Sequence, residues 1–274
     1  MTSSLVVLTD FYAVTNRALS YAAALALPLR AHLVLLHVRH SQLLAPDEYS
    51  GTYPGWAERR TARALGQLAG QQGVPTEVAI SEEFLPDAVQ EAVRRHHPLL
   101  VVMGRSGADT VPAEVLTSTA MDVLRHAAHP LLVVPAPGWD AFPPRRLLLA
   151  VDGEPFSLGE HQDVVGRLLF ATGATLDVVH VSDDEHARPT TTERVLDTVR
   201  ANDLVDELSI SQLHEVYHPT VVGGVLEEAA RQQADMLVVV ARRHSLLGGL
   251  FHDSMTARIL RESPIPVLVL PAED

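Results

Sequence analysis

Leu5-Val6-Val7-Leu8-Thr9-Asp10 returns 142 residues later as Leu147-Leu148-Leu149-Ala150-Val151-Asp152, each an apolar run stopped by an aspartate. Leu33-Val34-Leu35-Leu36-His37-Val38 returns as Leu176-Asp177-Val178-Val179-His180-Val181 at an offset of 143. Residues 91–103 match 228–240 at an offset of 137, and Pro130-Leu131-Leu132-Val133-Val134-Pro135 returns as Pro266-Val267-Leu268-Val269-Leu270-Pro271. Four blocks in one order, with offsets drifting by a few residues, describe a duplication separated by small loop changes. The copies join in Pro135-Ala136-Pro137-Gly138-Trp139-Asp140-Ala141-Phe142-Pro143-Pro144, where repeated prolines bar both a helix and a central strand. The expected domains are 1–138 and 143–274, in keeping with a length of 274 residues and a common domain size of about 100–150.

Within each copy, short Val, Leu and Ile runs without polar alternation read as strands buried on both faces of a parallel sheet. In the first copy they fall near 4–9, 32–38, 76–80, 98–103 and 130–134, separated by helical spacing over 15–27, 56–72, 85–97 and 119–128. The second copy has strands near 146–151, 175–181, 210–217, 235–240 and 266–270, with helices near 158–172, 190–208, 220–233 and 254–262. Such alternation predicts right-handed crossovers and open α/β sheets with helices on both faces. Residues 41–55, rich in Pro, Gly, Tyr and Ser, read as a surface loop.

Composition removes several chemistries. Hydrophobic residues at 47% with 20% charged supply packed cores rather than disorder. Thirty-four acidic against 21 basic side chains give a net charge of −13, which repels nucleic acid and anionic membranes alike. With no cysteine there is no thiolate nucleophile and no cysteine-ligated metal. All 21 basic residues are arginines, which excludes Schiff-base chemistry and a phosphate-loop lysine. No Gly-x-Ser-x-Gly elbow occurs, and no catalytic residue is assigned. His37 and His180 read as core histidines on interior strands. His96-His97, His126 with His129, and His214 with His218 lack a third ligand nearby in sequence, so no metal site is expected. No basic segment leads into an apolar one at the start of the chain, and the cytoplasm is the expected compartment.

Open α/β sheets bind ligands beyond the carboxyl ends of their strands, where the strand order reverses. After the fourth strand, ending near Met103, come Gly104-Arg105-Ser106-Gly107, nine residues, and Thr117-Ser118 placed to open the last helix. Glycines admit backbone amides to a phosphate, and a helix N-terminus adds unpaired N–H groups. After the first strand sits Asp10, an acceptor for ribose hydroxyls or for a phosphate-bound Mg²⁺. Each residue also has a structural role open to it. Asp10 and Asp152 suit helix capping or loop shaping, Thr117, Ser118 and Ser254 suit helix caps, and Thr119 with Asp122 has the form of a capping box.

These residues resemble the universal stress protein family, whose nucleotide-binding members carry Gly-x2-Gly-x9-Gly-Ser/Thr, a strand-one aspartate and a valine ending strand two. The resemblance covers nearly the whole chain, twice. It implies a Rossmann-like, adenine nucleotide alpha hydrolase-like fold with two tandem five-stranded sheets of order 3-2-1-4-5. It places ribose and phosphate on Asp10, adenine on the Val38 backbone, and phosphates on Gly104, Gly107 and Ser118, with Met103 and Thr117 completing the set. The cofactor implied is ATP, with Mg²⁺ as counter-ion. Thr117 stands where the motif has its third glycine.

The second copy keeps Asp152, Val181 and Ser254 but has Ala241 and His244 for the first two glycines and Asp253 before Ser254. Its site is degenerate, although Gly248-Gly249 with Arg242 and Arg243 offer a partial loop and positive charge. The resemblance also implies that the final strands pair across a pseudo-twofold, so that one tandem chain mimics a dimer; further association of two such chains into a dimer and contact with an unidentified protein partner are expected. Two functional readings stand: a stress-linked adenine nucleotide binder with its site in the first copy, or a dimeric interaction protein that has lost the nucleotide.

Overall fold

The structure is a computed structural model and describes residues 3–9, 13–39, 54–105, 113–136, 143–182, 192–204, 208–242 and 254–273. The first half runs β1 (Ser4–Thr9), α1 (Ala13–Leu29), β2 (His32–Val38), α2 (Pro54–Gly70), β3 (Thr76–Ser81), α3 (Leu85–His96), β4 (Leu100–Arg105), α4 (Ala113–Ala127) and β5 (Leu131–Pro135). The second runs β6 (Arg146–Val151), a 3-10 turn (Gly159–His161), α5 (Asp163–Thr172), β7 (Thr175–Ser182) and α6 (Thr192–Arg200). It continues with a second 3-10 turn (Ile210–Gln212), β8 (Leu213–Tyr217), α7 (Val221–Arg231), β9 (Met236–Arg242), α8 (Met255–Glu262) and β10 (Val267–Ala272).

The strands lie in the order β3-β2-β1-β4-β5-β10-β9-β6-β7-β8. Each half therefore has the order 3-2-1-4-5, and within each half every pairing is parallel. The halves meet where β5 and β10 pair antiparallel, Leu132 opposite Leu268. The two five-stranded sheets expected from the sequence are joined, through the pairing of final strands that the resemblance implied, into one sheet of ten strands. The reason is the edge each half would otherwise expose: β5 and β10 are apolar on both faces and entirely buried, and a bare edge of that kind seeks a partner.

Because side chains alternate across a strand, the core divides by sheet face and not by half. One face buries Leu5, Val7, Leu33 and Leu35 in the same cluster as Leu147, Leu149 and Val178. The other joins Val6, Val34, Leu36 and Val101 with Leu148, Ala150 and Val179. Polar contacts cross the seam too: His161 Nε2 lies 3.0 Å from the Ala128 carbonyl at the end of α4.

Several element boundaries depart from the sequence reading. The helix expected from 119 begins at Ala113, because Pro112 followed by Ala113-Glu114-Val115-Leu116 is itself a helix start. The helix expected to reach 208 ends at Arg200. There Asn202 turns inward, its side chain bonding Leu158 N, Phe156 O and Thr198 O. The strand expected from 210 begins at Leu213 after a 3-10 turn whose Ser209 and Gln212 form a capping box. Most of the loop expected at 41–55 lies outside the described residues, and its last two residues open α2.

Candidate functional site

In the first half, β1 and β4 pair from Leu5↔Leu100 to Val7↔Val102. Pairing then stops, although β1 continues to Thr9 and β4 to Arg105. Each strand keeps its outer neighbour, Thr9 on His37 of β2 and Gly104 on Val134 of β5. The two parting strands are the topological switch point of an open α/β sheet. All four strands are parallel, so Thr9, Val38, Met103 and Gly104 reach the same end of the sheet. Asp10 and Gly107 lie outside the described residues; their neighbours Thr9 and Gly104–Arg105 fix where the chain leaves the sheet.

Val38, Met103 and Thr117 are buried and Ser118 is half-buried. Thr9 carries an informative detail. Its carbonyl lies 3.0 Å from His37 Nδ1, so that nitrogen is the protonated donor, as suits a core histidine. Its hydroxyl, however, is buried and has no hydrogen-bond partner among the described residues, in a residue 6% exposed. A buried polar atom left unpaired costs about 1–3 kcal/mol, and a ligand hydroxyl or phosphate oxygen is the kind of group that satisfies it.

Thr117 and Ser118 require a correction. Both lie in the second turn of α4, past its first orphan N–H groups, and neither caps the helix; the capping box of Thr119 with Asp122 falls with them. Thr117 instead faces the Gly104 turn, where Met103, Gly104, Arg105, Thr117, Ala120, Val133 and Leu260 leave no room for a water molecule. Leu260 comes from the second half. Ser254, in contrast, is a true N-cap, its Oγ accepting from Ala257 N at 3.2 Å.

The second half has the same switch point, pairing of β6 with β9 ending at Ala150↔Val239, and there Asp152 is paired with an arginine of its own half. Arg242 donates from Nε to Asp152 Oδ2 at 2.8 Å and from Nη2 to Asp152 Oδ1 at 2.7 Å. The same guanidinium reaches Pro155 O at 2.6 Å and Glu154 O at 2.7 Å. Burial alone would raise the Asp152 carboxyl, yet the Arg242 fork and the Glu154 N–H hold it below the ordinary aspartate value. Asp152 therefore shapes the loop, with Glu154 N bonding its Oδ1. Arg242, read from the sequence as positive charge for a ligand, is spent on that carboxylate. Val181 ends β7 packed against the backbone of Gly224 in α7.

Arg105 is not one of the motif's fixed residues, yet it bonds three carbonyls of the other half. It stands 137 residues before Arg242, the offset that aligns Gly104 with Ala241. Its guanidinium crosses the seam to the end of α8, donating to Leu260 O at 2.8 Å and also to Arg261 O and Ser263 O. Burial lowers its pKa. An arginine repeated directly after the first motif position in both copies was the available signal. Among the described residues no group of three or more His, Asp or Glu is arranged to hold a metal ion, and no helix is long and apolar enough to cross a membrane.

Comparison with solved structures gives the same architecture. A universal stress protein from Archaeoglobus fulgidus DSM 4304 superposes with a TM-score of 0.70 at 18% identity, covering 98% of both chains. A Pseudomonas aeruginosa UCBPP-PA14 protein assigned to the same family has a TM-score of 0.62 at 19% identity, over 99% of this chain and 94% of its own. A universal stress protein family protein from Arabidopsis thaliana, solved with AMP bound, covers 50% of this chain and 93% of its own at 15% identity and a TM-score of 0.35. Among curated proteins, none matches. The universal stress protein family model matches residues 1–135 and again 144–271; the chain belongs to that family, as a tandem of two copies.

Proposed function

We propose that the chain is a stress-response regulatory protein that binds an adenine nucleotide, ATP with Mg²⁺, in the crevice of its first half, and that its second crevice is closed. The repeats 1–138 and 143–274 then have different duties, one holding ligand and the other bracing it. The observation that carries this reading is the buried, unbonded Thr9 hydroxyl at the mouth of the β1/β4 switch point, set against the fork of Arg242 on Asp152 at the equivalent place. One crevice keeps a polar group for a ligand, and the other has answered its own. Asp10, next to Thr9, supplies the carboxylate for ribose or Mg²⁺, and the Val38 backbone supplies the adenine contact. Gly104 and Gly107 lend amides to the phosphates, helped by the hydroxyl of Ser118. Binding reorganises the loops at this end of the sheet and alters contact with a protein partner.

Calorimetric titration of ATP with Mg²⁺, and of AMP, into the intact chain tests this. Saturable binding that is lost in Asp10→Ala and in Gly104→Val is expected, and binding indifferent to both changes removes the assignment. A second reading, a dimeric interaction protein without nucleotide, draws on the filled space between Gly104, Thr117 and Leu260. It predicts no heat with any adenine nucleotide and a mass above that of one chain by light scattering.

A further inference from the structure

The strand that ends at the proposed phosphate turn is anchored in the other half of the molecule. Gly104 is the last residue of β4 but one, and the side chain of Arg105 leaves the site to end on three carbonyls, those of Leu260, Arg261 and Ser263. These carbonyls close α8, where the last turn leaves acceptors unsatisfied and the helix dipole is negative. A guanidinium there makes several charge-assisted bonds at once. The receiving end is rigid: Ser263 is fully buried, its N–H bonds Ile259 O at 2.9 Å and its hydroxyl bonds Ile265 O at 2.8 Å. Leu260 packs into the same junction beside Thr117. The equivalent arginine of the second half, Arg242, bonds Asp152, Glu154 and Pro155 of its own half.

We infer that Arg105 is a positioning residue through which the second half holds the end of β4, with Gly104, in place, so that nucleotide on the first half and the end of α8 in the second half are energetically coupled. This rests on the nucleotide reading above. Coupling of this kind is reciprocal: if the braced α8 end raises affinity for the ligand, the ligand tightens the α8 end by the same factor. It also gives the degenerate copy a task, since its last helix completes the site of the first.

The test uses the full chain as wild type, Arg105→Ala and Arg105→Lys. ATP with Mg²⁺ is titrated calorimetrically, and amide exchange is followed with and without nucleotide. Wild type should bind and show slower exchange at residues 260–266 on binding. Arg105→Ala should weaken binding by about tenfold or more and lose that distant protection, and Arg105→Lys, a point charge without the fork, should fall between them. The protection at α8 is a readout that a merely structural role would not move. Should Arg105→Ala fail to fold by circular dichroism, Arg105→Lys carries the test alone, with weakened binding and reduced α8 protection expected. If wild type binds while the variants bind equally and keep the α8 response, the inference is overturned and the nucleotide reading survives. If wild type binds no adenine nucleotide, that reading fails and the inference with it.

Discussion

Arg242 grips Asp152 through two parallel hydrogen bonds, Nε to Oδ2 at 2.8 Å and Nη2 to Oδ1 at 2.7 Å, across the carboxyl ends of β9 and β6. The arginine is largely buried and the aspartate less so, side chains 12% and 42% exposed. Arg242→Ala should destabilise the chain by about 1–2 kcal/mol, more than a fully exposed pair and less than a dry one. The Asp152 carboxyl is held below its ordinary value of 3.8. The stability it gives is complete above that value and lost as pH falls through the lower, folded one. The gap between the urea midpoints of wild type and Arg242→Ala should therefore be full at about pH 7 and narrow as pH falls below the ordinary aspartate value. A gap that keeps its size at low pH would mean that the pair contributes nothing.

His129 makes a second pH prediction of the same sign, in a higher pH window. Its Nε2 donates to Pro98 O at 2.9 Å, and its ring stands edge-on to His161 at 5.2 Å. Burial first, then the neighbouring His161, push its pKa down from 6.5 to about 4. The unfolded chain takes up the proton at a higher pH than the folded one does, so stability is complete above about pH 6.5 and falls as pH drops toward about 4. The loss should be on the order of 2 kcal/mol and absent in His129→Gln, which keeps a donor for Pro98. Equal pH slopes in urea melts of the two proteins would refute it.

Much of this was legible in the chain because the physics involved is local. Undivided apolar runs such as Leu33-Val34-Leu35-Leu36 announce strands covered on both faces, and the repeat of Asp10 in Asp152 announces the duplication. The switch point follows from the strand order. What could not be read depends on distant partners. Arg105 and Arg242 are the same residue type at the same repeat position. Only the fold shows one reaching Leu260 O and the other turning back on Asp152. The start of α4 differs from expectation for a local reason: Pro112-Ala113-Glu114 is a stronger helix start on propensity alone than Thr117-Ser118.

The seam at β5 and β10 predicts cooperative unfolding. Leu132 and Leu268 face each other across it, both fully buried, and each core cluster draws residues from both halves. Leu268→Ala should cost about 2–5 kcal/mol. It should lower one calorimetric transition for the whole chain without releasing the first half at its original temperature. Two resolved transitions, only the later one moved, would show that the halves melt independently.

Gly224 should resist the substitution that usually stabilises a helix. It lies inside α7, where alanine is ordinarily worth about 0.5–1 kcal/mol more than glycine. A Cβ at this position, however, would meet Val181 Cγ1 at 2.6 Å and His218 Cβ at 2.9 Å. Valine at χ1 is stiff and cannot swing aside, so α7 must lift from β7. The cost of such overpacking, about 1–3 kcal/mol, exceeds the propensity gain, and Gly224→Ala should be net destabilising. Gly166 in α5 is the internal control: its added Cβ would lie 3.8 Å from Leu204 O, an ordinary contact. Gly166→Ala should therefore raise the urea midpoint while Gly224→Ala lowers it. The close approach at Gly224 sets the height of α7 over Val181, the residue equivalent to Val38 at the first site. Two alanine variants that both stabilise would mean that α7 sits loosely on β7, and that its glycine has no packing duty.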